Sequence, residues 1–140
     1  MLEYKRIKIA SKKKETIELI SFLNDIIEFD SKFKLYNFGI VRFYGTTKDY
    51  SNESLSENIN IFSNCDSFFK SIINIDQIFE IEVLIDKTVQ NIRRYSNEED
   101  SYKNNQICLE FFDGGFWEIT CKNDSLIRII AKKYSESEFI

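Results

Sequence analysis

ICLEFFDGGFWEITCKNDSLIRIIAKKY, residues 107–134, decides the fold. ICLEFF and FWEITC are rich in β-branched and aromatic residues and are separated by Asp113-Gly114-Gly115, so they predict a β-hairpin. Three loops are conceivable, and each sets a different register. A two-residue loop at Asp113-Gly114 places Leu109 opposite Glu118, and one at Gly114-Gly115 places Phe111 opposite Glu118. A three-residue loop pairs Phe111 with Trp117, Leu109 with Ile119 and Ile107 with Cys121. The last makes one face wholly apolar, and it also uses glycine at the left-handed position such loops need. NDSLIRIIAKKY then predicts a helix. Asn123 or Asp124 serves as its N-cap, Leu126, Ile127, Ile130, Ala131 and Tyr134 form its apolar stripe, and Lys132 and Lys133 suit its C-terminal end.

Upstream, EYKRIKIA (3–10) reads as a strand, and Ser11 is the expected cap of a helix over about 12–29. The apolar residues of that helix, Ile17, Leu19, Ile20, Phe22, Leu23, Ile26 and Ile27, share one face. Three lysines in its first turn carry the wrong sign for the helix dipole. LYNFGIVRFY (35–44) predicts a strand ending at Gly45, and residues 46–58 a polar connection. NINIF (58–62) predicts a short strand and SFFKSIINI a short helix capped by Asn64 or Asp66, with Phe68, Phe69, Ile72 and Ile73 inward. QIFEIEVLID (77–86) alternates, with Phe79, Ile81, Val83 and Ile85 on one side and Glu80, Glu82, Leu84 and Asp86 on the other. Residues 87–105 hold no sustained apolar period. A strand is expected near Val89–Tyr95, and SNEEDSYKNN is expected to be an exposed loop. The pattern is α+β: one domain over residues 1–140, a mostly antiparallel sheet, two main helices packed on one face, and the C-terminal β-hairpin followed by a helix.

Composition narrows the chemistry. The chain has 140 residues, 43% hydrophobic and 15% aromatic, enough for a core without staples. It has no histidine, so Ser-His, Cys-His and histidine-metal chemistry are excluded. Its four glycines form neither a dinucleotide fingerprint nor a P-loop, and no cofactor motif is present. Cys65, Cys108 and Cys121 lack metal-site spacing and read as buried hydrophobes, although Cys65 near a helix start invites a lowered pKa. No apolar run approaches the ~20 residues of a membrane span, and MLEYKRIKIASKKK has no apolar signal region, so the expected compartment is the cytoplasm.

Net charge is −4 but unevenly spread. Residues 1–14 carry six basic side chains against Glu3, whereas residues 49–86 carry eight acids against Lys70 alone. The second face of the hairpin holds Cys108, Glu110, Phe112, Phe116, Glu118 and Thr120. Glu110 falls opposite Glu118, which is mildly unfavourable. With QIFEIEVLID in the same sheet, Glu80, Glu82 and Asp86 join them. Such a face has three readings. It is a solvated face whose charges prevent edge aggregation, a docking surface with aromatic anchors in an acidic rim, or a carboxylate pair for acid–base or Mg²⁺ chemistry, which needs a pocket and shifted pKa values. The 46–58 segment and Glu98, Glu99 and Asp100 are further docking candidates.

The terminal LEFFDGGFWEITCKNDSLIRII, with the acidic balance, the α+β pattern and the lack of catalytic motifs, resembles the small cytosolic immunity proteins of bacterial contact-dependent and polymorphic toxin systems. The resemblance implies function by occlusion without catalysis. Such a protein binds a toxin domain, often a basic nuclease, and blocks its active site with acidic side chains. The expected partner surface is Glu80, Glu82, Glu110, Phe112, Phe116 and Glu118. The alternative is a regulatory or scaffolding module that touches nucleic acid through KRIKIASKKK, although a pI near 5 makes a poor binder of phosphate backbone.

Overall fold

The computed structural model describes residues 3–48, 54–56, 59–112 and 114–140, with residues 54–56 described as backbone. The hairpin takes the three-residue loop. β6 (Ile107–Phe112) and β7 (Phe116–Cys121) pair Phe111 with Trp117, Leu109 with Ile119 and Ile107 with Cys121. Gly115 lies at φ 84°, in the left-handed region where a Cβ is strained, and its N–H donates to the Phe112 carbonyl at 2.9 Å.

Around this hairpin the sheet is antiparallel throughout. β1 (Lys5–Ala10) pairs with β7, and β5 (Ile75–Asp86) pairs with β6. β2 (Asn37–Thr47) pairs with β5, and β3 (Ser54–Ser56) and β4 (Asn60–Phe62) lie on the far side of β2. β8 (Glu138–Phe139), which has no sequence signal, pairs with β1. Among the described residues the order is β3-β2-β5-β6-β7-β1-β8.

The first face of the sheet carries α1 (Glu15–Phe29), α2 (Cys65–Ile72) and α4 (Asp124–Lys133). Leu19, Phe22, Leu23 and Ile26 of α1 and Leu126, Ile127 and Ile130 of α4 close over Trp117, Ile119, Leu109 and Ile7. Trp117 is fully buried, with its ring 5.2 Å from Phe22 and 5.0 Å from Phe111. Asn123 caps α4 and Asn64 caps α2, each accepting from a backbone N–H three residues on.

Several expectations change. Ser11 does not cap α1, which begins at Glu15. The Glu18 carboxylate instead accepts from the Ser11 hydroxyl and from the N–H groups of Lys12 and Lys13, folding the lysines back ahead of the helix. The first turn is therefore acidic, through Glu15 and Glu18, with the sign the dipole favours. β2 runs through Gly45 to Thr47 because a register shift there accommodates the residue, whose Cβ would stand 2.1 Å from the Gln77 carbonyl. The same irregular pairing turns Phe79 off the core face, where Ile78 takes its place, and Phe79 packs half-buried on Tyr44. Ile73 of the short-helix segment is 53% exposed. Of the 46–58 connection, Thr46 and Thr47 extend β2 and Ser54–Ser56 form β3; residues 49–53, 57 and 58 lie outside the described residues.

The largest departure concerns residues 87–105. Val89–Asn91 form a single 3-10 turn instead of a strand, and Glu98–Asn104 form α3, capped by Asn97, instead of an exposed loop. This segment crosses the second face of the sheet. Ile92 and Tyr102 pack there on Tyr4, Val41, Leu84 and Cys108 as a second, smaller core. Asp86, expected on an acidic surface, is buried and ties the segment down. Its carboxylate accepts from Thr88 N at 3.0 Å, Asn91 Nδ2 at 2.9 Å and Gln106 N at 3.1 Å. Gly39 provides the seat for Ile92, because a Cβ on residue 39 would lie 2.1 Å from Ile92 Cγ2.

That seat is testable by chemical denaturation. Gly39→Ala is expected to cost about 1–3 kcal/mol by overpacking, and Ile92→Ala about 2–5 kcal/mol by opening a cavity. The double variant should cost less than the sum by about 1 kcal/mol or more, since the new methyl occupies the vacated space. Additivity within about 0.5 kcal/mol would show that the two residues do not share that space.

Candidate functional site

The register places one row of charged side chains across five strands of the second face. Arg42 pairs with Glu82, Glu82 with Glu110, Glu110 with Glu118, and Glu118 with Lys8. Three carboxylates on adjacent strands, about 5 Å apart, repel one another unless cations or protons intervene.

Each carboxylate meets a different environment. Glu118 is held by Arg6, whose guanidinium lies 3.2 Å from its Oε1 and 4.5 Å over the Tyr102 ring. Glu82 faces Arg42 at 3.6 Å. Burial raises its pKa, Arg42 opposes the rise, Glu98 adds to it and Arg94 opposes it. Glu110, between them, has no ion-pair partner among the described residues. It is 4% exposed, and its Oε1 is buried with no hydrogen-bond partner. Burial pushes its carboxyl up to about 7; the Tyr102 hydroxyl opposes that rise, and Glu82, Glu98 and Glu118 reinforce it.

The roof over this row is α3. Tyr102 points down from it, with a hydroxyl that accepts from Arg6 at 3.2 Å and lies 3.5 Å from Glu98 Oε2. Burial raises the Tyr102 pKa, and Glu110 raises it further. Beside Tyr102 the roof stops short, leaving an open groove of about 280 Å³ between the sheet and residues 95–101. Glu80, Glu82, Glu98 and Glu110 line it, with Arg42 as its one basic side chain and Tyr95 and Phe112 as its aromatic surface. Tyr95 is anchored by its hydroxyl, which donates to the Asn91 carbonyl at 2.7 Å.

The residues expected from sequence are therefore sorted by the structure. Glu80, Glu82, Glu98, Glu110 and Phe112 come together in the groove. Phe116 lies next to it, half-buried, 5.8 Å from Phe112 and under the Lys8 ammonium at 3.9 Å. Glu118 is withdrawn onto Arg6. Glu99 is exposed on α3, and Asp100 is engaged with Asn97 in the helix cap; neither lines the groove. The hairpin's second face is not wet where Cys108, Glu110 and Thr120 sit, all of them buried. Arg6, Arg42, Tyr95 and Tyr102 were missed. The available signal is Leu84 and Cys108 on a face otherwise charged, since apolar residues there require a cover, and Ile92, Tyr95 and Tyr102 are large apolar groups of the polar stretch able to supply it.

Cys65, Cys108 and Cys121 are buried free thiols. Burial pushes Cys65 up to about 11, against the lowered value its helix-start position invites. Among the described residues no group of three or more His, Cys, Asp or Glu side chains is arranged to hold a metal ion, and no helix is long and apolar enough to cross a membrane. No protein-family model matches the chain, nor does any curated protein or solved structure.

The groove predicts a pH dependence of stability. The folded pKa of Glu110 near 7 stands above the ordinary 4.5. Its contribution is fully present below the unfolded value and is lost as pH rises through about 7, because the folded state then gives up a proton the unfolded state has already lost. Glu110→Gln, which is neutral at every pH, is expected to remove that slope. It should gain stability over wild type between pH 5 and 8, by about 3 kcal/mol if the full shift is realised. Parallel stability–pH curves for the two proteins would show that Glu110 ionises freely.

Proposed function

We propose that the protein is a binding inhibitor of the immunity type, which docks on a basic partner domain through the groove face and occludes that domain's active site. The observation that carries this reading is the Glu110 carboxylate: buried, lacking an internal cation, and opening into a groove with three further glutamates. An ordinary solvated face leaves carboxylates in water, where they cost nothing. A fold that holds one desolvated among like charges is suited to a cation arriving from outside. A basic nuclease, which must carry positive charge to hold phosphate, supplies such cations, and complementary charge speeds the encounter. Phe112, Phe116 and Tyr95 provide the aromatic surface for tight contact.

The nucleic-acid alternative is weakened by the N-terminal lysines themselves. Lys5 pairs with Asp124, Lys12 with Glu136 and Lys14 with Asp76, so much of the basic charge is met within the fold. One observation favours another reading, general acid–base catalysis, because a carboxyl near pH 7 in a groove is what a general acid needs. The groove, about 280 Å³, lies at the lower edge of the ~300–1,000 Å³ of sites for drug-sized molecules, so this reading is confined to a small substrate.

The test is capture of a basic partner from the source cell's lysate, with affinity then measured on the purified pair. Glu80→Lys combined with Glu98→Lys, both exposed at the groove, should weaken binding at least tenfold (~1.4 kcal/mol). Glu99→Lys, outside the groove on the same helix, should change it far less. Equal affinity in all three proteins would mean that the partner docks elsewhere.

A further inference from the structure

We propose that the groove is a receptor for a single arginine side chain of the protein partner, its guanidinium seated on Glu82 and Glu110 and its stem lying along Tyr95 and Phe112. The inference rests on the reading of this face as the docking surface for a basic protein, and it names what enters.

The row of glutamates supplies the pattern. At one end Arg6 sits on Glu118 with the Tyr102 ring against its guanidinium. At the other, Arg42 meets Glu82. The middle place is unfilled. Among the described residues nothing donates to Glu110 Oε1, which is shut off from bulk water behind the groove that Glu110 helps to line, so an incoming guanidinium reaches it by a turn of the Glu110 side chain. Buried acceptors are nearly always satisfied; the Tyr102 hydroxyl serves the Glu110 carboxylate, but no described residue donates to its Oε1. Glu82 and Glu110 stand directly opposite each other on β5 and β6, so their carboxylates present a paired acceptor. A planar guanidinium fork can bridge such a pair, whereas a lysine ammonium meets it as a point charge. Aromatic surface beside the carboxylates favours the same choice, since guanidinium stacks on rings; Tyr95 already carries the Arg93 guanidinium 4.3 Å over one ring face, which leaves the other face and Phe112 for the newcomer. The groove, about 280 Å³, has room for one long side chain.

Binding is coupled to a proton. The groups facing Glu110 are Glu82 from β5, Glu118 from β7, and Glu98 and Tyr102 from α3, with Arg6 of β1 reaching Tyr102 and with Arg42 and Arg94 beside Glu82. Their balance leaves Glu110 half-protonated near neutrality. The carboxylate is the form a guanidinium selects, so seating the arginine expels that proton.

The experiment titrates the full-length, isotope-labelled protein with N-acetyl-arginine amide, following the backbone amides of Glu82, Ser101, Glu110 and Phe112 by NMR. Saturable shifts are expected at these positions, with affinity about tenfold higher at pH 8 than at pH 6. N-acetyl-lysine amide should bind several-fold more weakly, and N-acetyl-norleucine amide should leave the amides unmoved. Glu110→Gln should weaken binding and abolish its pH dependence; Glu98→Gln, at an exposed position, should weaken it several-fold without disturbing the fold. Absence of saturable shifts in the wild-type protein at pH 8 overturns the proposal, as does equal binding of the arginine and norleucine compounds. If the arginine titration fails while Glu80→Lys with Glu98→Lys still weakens the basic partner, only the arginine receptor is lost. If both fail, the docking surface itself is wrong.

Discussion

One glycine in the left-handed conformation sets the frame. With Gly115 at φ 84°, the hairpin loop takes three residues, and Phe112 must pair with Phe116. Side chains alternate strictly along a strand, so a slip of one residue would send Trp117 and Ile119 away from the helices and bring Glu118 and Thr120 into the core. With β5 and β1 paired at the hairpin's two sides, that parity sets the contacts. Trp117 reaches Phe22 of α1, Glu110 falls between Glu82 and Glu118, and Arg6 on β1 comes within reach of Glu118.

The two faces are then stabilised by different physics. The first is closed by apolar side chains from three helices and depends on area removed from water. The second is closed by a segment with little apolar content, held by polar ties. Asp86 binds three donors, Asn105 spans the Asn91 and Ser101 carbonyls at 3.1 Å each, and Arg94 donates to the Val41 carbonyl at 2.8 Å. Such a cover can be incomplete, and where it stops short the groove opens. The acidic row thus lies partly under a roof and partly at an opening. That position buries Glu110 among like charges, which pushes its carboxyl up.

Much of the fold is legible in the chain. The hairpin, its register, α1, α4 and the alternating β5 rest on strong periodicity and on residues with one conformational use, such as Gly115 and Asn123. The candidate site was legible in part. Glu80, Glu82, Glu110 and Phe112 follow from strand parity once β5 and β6 are neighbours, and Glu98 was named from its local charge. Glu118 was placed on the right face, but its withdrawal onto Arg6 depends on β1 lying next to β7, which no local pattern encodes. Helix α3 was hidden for a related reason: seven residues with Tyr102 as the only large buried side chain make no helical period.

By itself the sequence determined the alternation of each strand, the cap and stripe of each long helix, the absence of histidine chemistry and the excess of acid. These are local properties, carried by period, turn chemistry and composition. The tertiary structure alone decided which carboxylate meets a cation and which is buried among like charges. Ionisation depends on burial and on neighbours brought from distant parts of the chain. Arg6 and Glu118 are 112 residues apart in sequence, yet their side chains meet at 3.2 Å. Glu110 has the same chemistry as Glu118 and lies one strand away, but the fold brings it Tyr102 and two more carboxylates in place of an arginine.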